Sequence, residues 1–305
     1  REIVRTELTR KLDREVNFED AGVSLFPPVR LTVRRPALAE PGGFERGRAF
    51  EARSIHLDLD VLALLARRVV VRRLVIVDPR VHLVLHEDGP NTLESLTRAA
   101  TEETGGAAPA MEVAIQDLVI RGGGILVDDF QIPRRTVFAV DSRLSLNASG
   151  DGTHITTSGE TEISELSFGP VTARERSELS TGLAAVTWVI EHEGSYDAAQ
   201  KRLALDPVSI RFGDALVAFR GLVDDPGPNA RMHLRTKGRK VDLGEVLKML
   251  ATADASALAG ISGTGQLDFD LDVRGVLGTG RLPDMMGTVL VGDASFRYPD
   301  APAAV

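Results

Sequence analysis

The stretch Ser54–Asn91, SIHLDLDVLALLARRVVVRRLVIVDPRVHLVLHEDGPN, decides the fold. Ile55, Leu57, Leu59 and Val61 alternate with Ser54, His56, Asp58 and Asp60, the period of a half-buried strand. From Val61 to Arg67 apolar residues are too dense for alternation and suit one or two helical turns. Val69 to Val77 returns to β-branched residues, Asp78-Pro79 breaks the run, and Val81, Leu83 and Leu85 resume the alternation. The stretch predicts strand, short helix, strand, turn, strand.

Working outward, Arg1 to Leu12 spaces Ile3, Val4, Leu8 and Leu12 as a short amphipathic helix does. Val16 to Ala21 and Ser24 to Val33 read as the first strands, with Pro27-Pro28 interrupting the second, since proline donates no hydrogen bond to a ladder. Gly and Pro make Arg34 to Phe50 a connecting loop, and TRAATEETGGAAP (97–109) a linker with little to bury. Strands then recur over Met111–Ile120, Gly124–Ile132, Thr136–Leu146, His154–Ile163, Ala185–His192, Leu203–Phe212, Leu216–Val223 and Arg231–Thr236. Turn signals separate them, among them Gly122-Gly123-Gly124, Gly150-Asp151-Gly152, Phe212-Gly213-Asp214 and Asp225-Pro226-Gly227-Pro228. Val241–Leu250 is expected to be a second short helix with Asp242 as its N-cap. In Gln266–Arg274 (QLDFDLDVR), Leu267, Phe269, Leu271 and Val273 face one way, and Asp268, Asp270, Asp272 and Arg274 the other.

These segments predict a mainly β chain: a long curled antiparallel β-sheet (a groove or β-taco) with two or three short α-helices. The expected organisation is an N-terminal strand-helix-strand unit over 1–96, a linker or loop over 97–110, and a continuing sheet over 111–305.

Composition narrows the function classes. Of 305 residues, 43% are hydrophobic but only 5% aromatic, so the apolar faces are aliphatic. The formal net charge of −8 argues against nucleic acid, which selects a basic face. Without cysteine there are no disulfides, zinc-thiolate sites or thiol chemistry. No stretch approaches the ~20 apolar residues of a membrane helix. The chain opens at Arg1 with no signal peptide, which reads as a trimmed piece or a segment with anything upstream out of view.

The polar residues do not assemble a catalytic or metal signature. His82 and His86 lie roughly 13 Å apart on a strand, too far for one ion, and are expected to be solvated opposite Val81, Leu83 and Leu85. Asp128 and Asp129 point to opposite faces. Asp268, Asp270 and Asp272 line one face as a polar exterior. Neither Gly260–Gly265 nor Gly275–Gly280 has the spacing or following helix of a phosphate loop. No enzyme and no cofactor is expected. The aliphatic faces must meet another sheet, close on themselves, or cover long apolar chains.

Taken in order, several segments resemble the AsmA family, related to TamB and to chorein-type bridge-like lipid transfer proteins. Ser24–Val29 with Ala37-Leu38-Ala39 resembles its early strands. Ala52–Ile55 with Leu62, Leu64 and Leu65 resembles its first strand-to-helix unit, making 1–96 chorein-like. Leu74–Pro79 with Val81, Leu83, Asp88, Gly89 and Asn91 resembles the strand pair that follows. Asp117–Gly122 with Ile125–Asp129 resembles a middle hairpin, and Ile261–Gly265 with Leu267–Gly275 a late strand. The resemblance implies a non-enzymatic bacterial envelope protein, largely periplasmic and anchored in the inner membrane. It would hold phospholipid acyl chains in an apolar β-groove and support lipid transport and outer-membrane biogenesis. Val81, Leu83, Leu85, Val186, Trp188, Ile190, Leu267, Phe269, Leu271 and Val273 would line that groove. Phospholipids are the implied partners, with an outer-membrane or periplasmic protein as a further one. The alternative is a periplasmic β-sandwich scaffold or outer-membrane assembly factor acting through protein contacts.

Overall fold

The computed structural model describes residues 6, 9, 10, 12, 14–24, 29–60, 63, 69–86, 113–131, 133–149, 153–173, 178–183, 185–226, 230–244, 262–276 and 283–297. The chain is mainly β and divides into two compact units, Arg1–Thr187 and Trp188–Val305. No described helix is long and apolar enough to cross a membrane.

The first unit holds β1 (Val16–Asn17), β2 (Asp20–Ser24), β3 (Val29–Arg34), β4 (Ala37–Ala39), β5 (Arg48–Glu51), β6 (Ser54–Leu59), β7 (Val69–Val77), β8 (Arg80–Leu85), β9 (Val113–Asp129), β10 (Arg134–Ala148), β11 (His154–Pro170) and β12 (Ser180–Leu183). A short 3-10 turn, Phe44–Arg46, precedes β5. The expected Arg34–Phe50 loop therefore contains two short strands. Their backbone groups join the ladders even though Gly42 and Gly43 at φ 96° and 102° bend the chain between them.

Eight of these strands are halves of four longer ones. Asn17 faces Ala37 and Asp20 faces Arg34. Ala37 faces Glu51 and Arg34 faces Ser54. Glu51 faces Arg80 and Ser54 faces Val77. Arg80 faces Gly124 and Val77 faces Arg121. Between the paired positions each strand inserts two residues: Phe18-Glu19, Arg35-Pro36, Ala52-Arg53, Asp78-Pro79 and Gly122-Gly123. Backbone bonds carry the ladder through the break, including Arg35 N–H to Arg53 O (3.0 Å), Ala52 N–H to Pro36 O (3.0 Å), Arg53 N–H to Val77 O (2.9 Å) and Asp78 N–H to Arg121 O (2.8 Å). The sheet thus has a crease running across five neighbouring strands. Arg35, Asp78 and Gly122 stand there at φ 48°, 48° and 62°, the left-handed conformation of many bulges. Pro36 and Pro79 sit at the break itself, and their carbonyls accept from Ala52 N–H at 3.0 Å and Gly124 N–H at 2.8 Å.

Two expectations are corrected here. Gly122-Gly123-Gly124 makes no turn: β9 runs unbroken from Val113 to Asp129, so the middle hairpin is one strand. Gly123 is required inside it because an added Cβ would stand 2.7 Å from Val140 Cγ1 and 2.8 Å from Val140 O. Nor is the sheet wholly antiparallel. β7 and β8 both run parallel to β9, while β10 pairs antiparallel on its other side, so the sheet is mixed.

The second unit is an antiparallel meander of β13 (Trp188–Asp197), β14 (Arg202–Phe212), β15 (Ala215–Asp224), β16 (Arg231–Asp242), β17 (Ser262–Val276) and β18 (Asp284–Arg297). Among the described strands, the pairings close neither unit into a barrel. In β16, Met232, Leu234 and Thr236 are protected while Arg231, His233, Arg235 and Lys237 are exposed, the alternation of a one-sided strand.

The remaining sequence expectations fall unevenly. Val241 and Asp242 are the last residues of β16, opposite Leu267 and Gln266, and Leu243 and Gly244 are helical directly after them. Residues 245–250 lie outside the described residues. So do the 97–109 linker and all of Val61–Arg67 except Ala63, which is helical. Of Arg1–Leu12, only Thr6, Thr9, Arg10 and Leu12 are described, all helical.

Candidate functional site

β10 serves as a ruler for the first unit. It has no residue at positive φ, so its even-numbered side chains share one face over Arg134–Ala148. Leu146, Leu144, Ser142, Phe138 and Thr136 pair with Ile115, Leu118, Ile120, Ile125 and Val127 of β9. On this face β9 presents Leu118 and Ile120 just before the crease and Ile125 and Val127 beyond it, a change from even to odd numbering; a second register shift, between Leu118 and Ile115, places Ile115 there too. The same slip recurs from Ile76 to Val81, from Val33 to Leu38, from Phe50 to Ile55 and from Val16 to Ala21. The crease therefore keeps the hydrophobic side of five strands continuous.

Cross-strand rows follow. Val23, Leu31, Leu57, Leu74, Leu118 and Leu144 form one. Val16, Leu38, Phe50, Val81, Ile125 and Phe138 form another, beyond the crease. Eleven of these twelve side chains are only half-buried, and Val23 is 61% exposed. A sandwich core would bury such leucines almost completely. The buried hydrophobics of this unit are instead mostly alanine and valine.

The opposite face carries charge. On one side of the crease, Arg30, Asp58, Arg73, Asp117 and Arg143 alternate in sign across five strands. Arg30 Nε meets Asp58 at 2.5 Å, Arg73 Nε meets Asp117 at 3.4 Å, and Arg143 Nε meets Asp117 at 2.8 Å. The hydrogen bond from Arg30 holds the Asp58 carboxyl below its usual value against its burial, helped by the nearby Arg73 and His56.

Beyond the crease lies a chain of partly buried charges. Arg135 donates to both oxygens of Asp128, at 2.6 and 2.8 Å. His82 Nε2 is 2.9 Å from Asp128 Oδ2, and its Nδ1 is 3.6 Å from Glu40 Oε1. Arg14 reaches Glu40 at 3.7 Å and donates to Ala39 O at 3.3 Å. Burial pushes the Asp128 carboxyl up, but the hydrogen bonds from Arg135 and His82 outweigh it and leave the group below its usual value. Glu40 Oε1 is buried without a hydrogen bond. His82 is thus no solvated side chain, contrary to the sequence expectation. A register of parallel strands, invisible in local spacing, sets it opposite Leu126 beside Asp128. His86 is exposed and stacks on Phe130 at 6.4 Å. Glu40 and Asp128 approach different nitrogens of the His82 ring, so the trio does not converge on one ion. Among the described residues no group of three His, Cys, Asp or Glu could hold a metal.

The ten sequence-selected residues divide between the units. Val81, Leu83 and Leu85 lie on β8 on the apolar face just described. Val186 belongs to the first unit but precedes β13, outside any strand. In the second unit, Ile190, Ile210 and Val217 continue through Gly238 to Phe269 and Val289, and Phe219 and Leu271 share that face. Leu267 and Val273 flank Phe269 on β17. The Phe269 ring fills the place of a side chain at Gly238, where a Cβ would stand 2.2 Å from Phe269 Cε1. Trp188 stacks on Phe212 at 4.3 Å, its Nε1 buried without a hydrogen bond. On the other face, Asp270 takes hydrogen bonds from Arg235 and Lys237, which hold its carboxyl down to about 2. Asp272 pairs with Arg274 and His233, and Asp268 accepts the Lys240 N–H at 2.7 Å.

Sequence reading missed the buried charge chain and the whole of β18. The first depends on register. The second lacks alternation, because Met285, Met286, Val289, Leu290 and Val291 put apolar side chains on both faces.

No protein-family model matches the chain, and no curated protein is detectably similar to it.

Proposed function

We propose that the aliphatic face of the first unit, and the matching face around Phe269 and Leu271 in the second, bind lipid acyl chains. One observation carries this reading: two six-residue apolar rows, on either side of the crease, stay half-exposed on one continuous face. Acyl chains are recognised by area, at about 0.8 kcal/mol per buried CH₂, and need no polar partner in the face that holds them. The charged opposite face suits water, as Asp270 between Arg235 and Lys237 illustrates. No bond is made or broken in this reading. With the AsmA resemblance beside it, the chain would be an envelope protein that solvates phospholipid chains between inner and outer membranes.

The test is lipid extraction and mass spectrometry of the gently purified chain, beside a Leu74→Asp/Leu118→Asp variant and a Phe269→Asp/Leu271→Asp variant. Co-purifying phospholipid that is lost from the folded variants supports the proposal. A lipid-free, well-folded parent, or variants that unfold because the face is a packed core, sinks it.

A further inference from the structure

Arg80 opens β8 on the charged face, in a cross-strand row with Ala37, Glu51, Gly124 and Ala139. Its Nη1 donates to Gly122 O at 2.8 Å and to Pro79 O at 3.0 Å. The side chain lies across Gly124, where an added Cβ would stand 3.0 Å from Arg80 Cδ. Nη1 is thus held by two carbonyls, while Nε and Nη2 have no partner among the described residues. Nε and Nη2 form the edge that grips a carboxylate or phosphate with two parallel hydrogen bonds. The nearby carboxylates are taken by other arginines. Glu51 faces Arg80 across the ladder but binds Arg48 at 2.8 Å. Asp78 binds Arg53 at 2.5 Å, and Glu19 binds Arg35 at 3.2 Å.

Two hollows meet at Arg80. One, of about 470 Å³, follows the crease and is lined by all four of these arginines. Three are paired with carboxylates, so Arg80 is the surplus cation. The other hollow, of about 560 Å³, has a charged rim of Arg48, Glu51, Arg80, His82 and Glu165. Its floor is Gly124, Leu126, Val137 and Ala139, with Leu126 and Val137 half-buried on a face that elsewhere carries ion pairs. An anionic group at Arg80 would therefore have an apolar surface beside it. Arg48 lines both hollows and offers a second guanidinium, which favours a doubly charged phosphate over a carboxylate. We propose that Arg80 binds the phosphate of an organic phosphate monoester whose apolar body lies on Leu126, Val137 and Ala139. The site is on the face opposite the aliphatic rows and stands independently of what those rows hold.

The test is calorimetric titration of the purified chain with phenyl phosphate, inorganic phosphate and benzoate. Phenyl phosphate is expected to bind more tightly than either of the others. Arg80→Gln should weaken it about tenfold or more. Glu51→Gln removes the competing carboxylate, frees Arg48 and should tighten it. Circular dichroism and melting check that the variants are folded, and if Arg80→Gln is not, Glu51→Gln decides. Sedimentation with phosphatidylcholine vesicles, with and without phosphatidic acid, separates the two sources of such a phosphate. Retention on phosphatidic-acid vesicles that Arg80→Gln abolishes supports a lipid headgroup, and phenyl phosphate binding without retention supports a soluble ester. A parent that binds no phenyl phosphate overturns the proposal. So does phenyl phosphate binding no tighter than inorganic phosphate or benzoate, a folded Arg80→Gln that binds like the parent, or a Glu51→Gln that binds no tighter.

Discussion

The Asp78 carboxylate occupies the space beside Gly122: its Oδ1 would lie 2.6 Å from a β-carbon built on that glycine. The two residues face each other across the parallel strands at the crease, both at positive φ. Gly122→Ala should therefore lose stability twice, by about 1–2 kcal/mol for the left-handed backbone and further for displacing Asp78 from its ion pair with Arg53. Gly213→Ala is the control, since Gly213 has φ 54° but nothing within 4 Å of an added Cβ. Urea unfolding should show the larger loss at Gly122. Equal losses would mean that Asp78 moves aside freely.

Asp128 should be the costliest carboxylate to remove. Its side chain is 6% exposed and holds Arg135 and His82 together. Asp128→Ala leaves a partly buried guanidinium unpaired, and a loss of about 3 kcal/mol is expected. Replacing Asp128 and Arg135 together with apolar residues should cost less than Asp128→Ala alone. A double-mutant cycle by chemical denaturation checks this.

The same carboxylate predicts an acid limb. Its folded pKa lies below the ordinary value of 3.8, so its contribution is complete above that value and disappears as pH falls through the lower folded value. Asp58 has the same sign. Stability measured by urea from neutral pH downward should fall below about pH 4, and less steeply in Asp128→Asn. An unchanged slope in that variant would remove Asp128 from the account.

The alternating ladder gives a graded prediction. Asp58 is 12% exposed in its side chain and Asp117 is 21%, while Arg143, a partner of Asp117, is 72% exposed. Exposed pairs of this kind contribute about 0–1 kcal/mol and are screened by salt. Asp117→Asn should therefore cost less than Asp58→Asn, and its effect should shrink in high salt. Thermal melts at low and high ionic strength decide the order.

Gly238→Ala should displace the Phe269 ring, which an added methyl would meet at 2.2 Å. Gly238→Ala/Phe269→Leu should recover part of the lost stability, because the smaller side chain leaves room. If neither change shifts the melting temperature, the ring does not cover Gly238 in solution.

Much of the strand plan was legible because one face is apolar and the other charged. The period-two alternation located β6 and β8 nearly to their ends and the middle of β17, and the β-branched run located β7. It faltered where alternation changes phase. Gly122-Gly123-Gly124 reads as a turn because glycine triplets usually punctuate strands. Here they let β9 pass Val140 and Asp78 at close range without ending. The slip from Ile120 to Ile125 was present in the sequence, and so was the matching slip from Ile76 to Val81. Only pairing shows that the two coincide. The Arg14–Glu40–His82–Asp128–Arg135 chain spans over a hundred residues and depends on the parallel register of β8 with β9, which no local pattern encodes. Among the chosen site residues, Val81 and Phe269 fall on apolar faces, whereas Val186 lies outside the strands because β13 starts only at Trp188.

The crease also constrains how such a chain can change in length. Losing Asp78 alone would turn Val81, Leu83 and Leu85 toward the charged side and swing His82 into the aliphatic rows. Only a matched loss in all five strands would leave the faces intact. Insertions and deletions in descendants of this sequence should therefore gather at hairpin tips such as Gly213-Asp214, while the five two-residue inserts at the crease persist or vanish as a set.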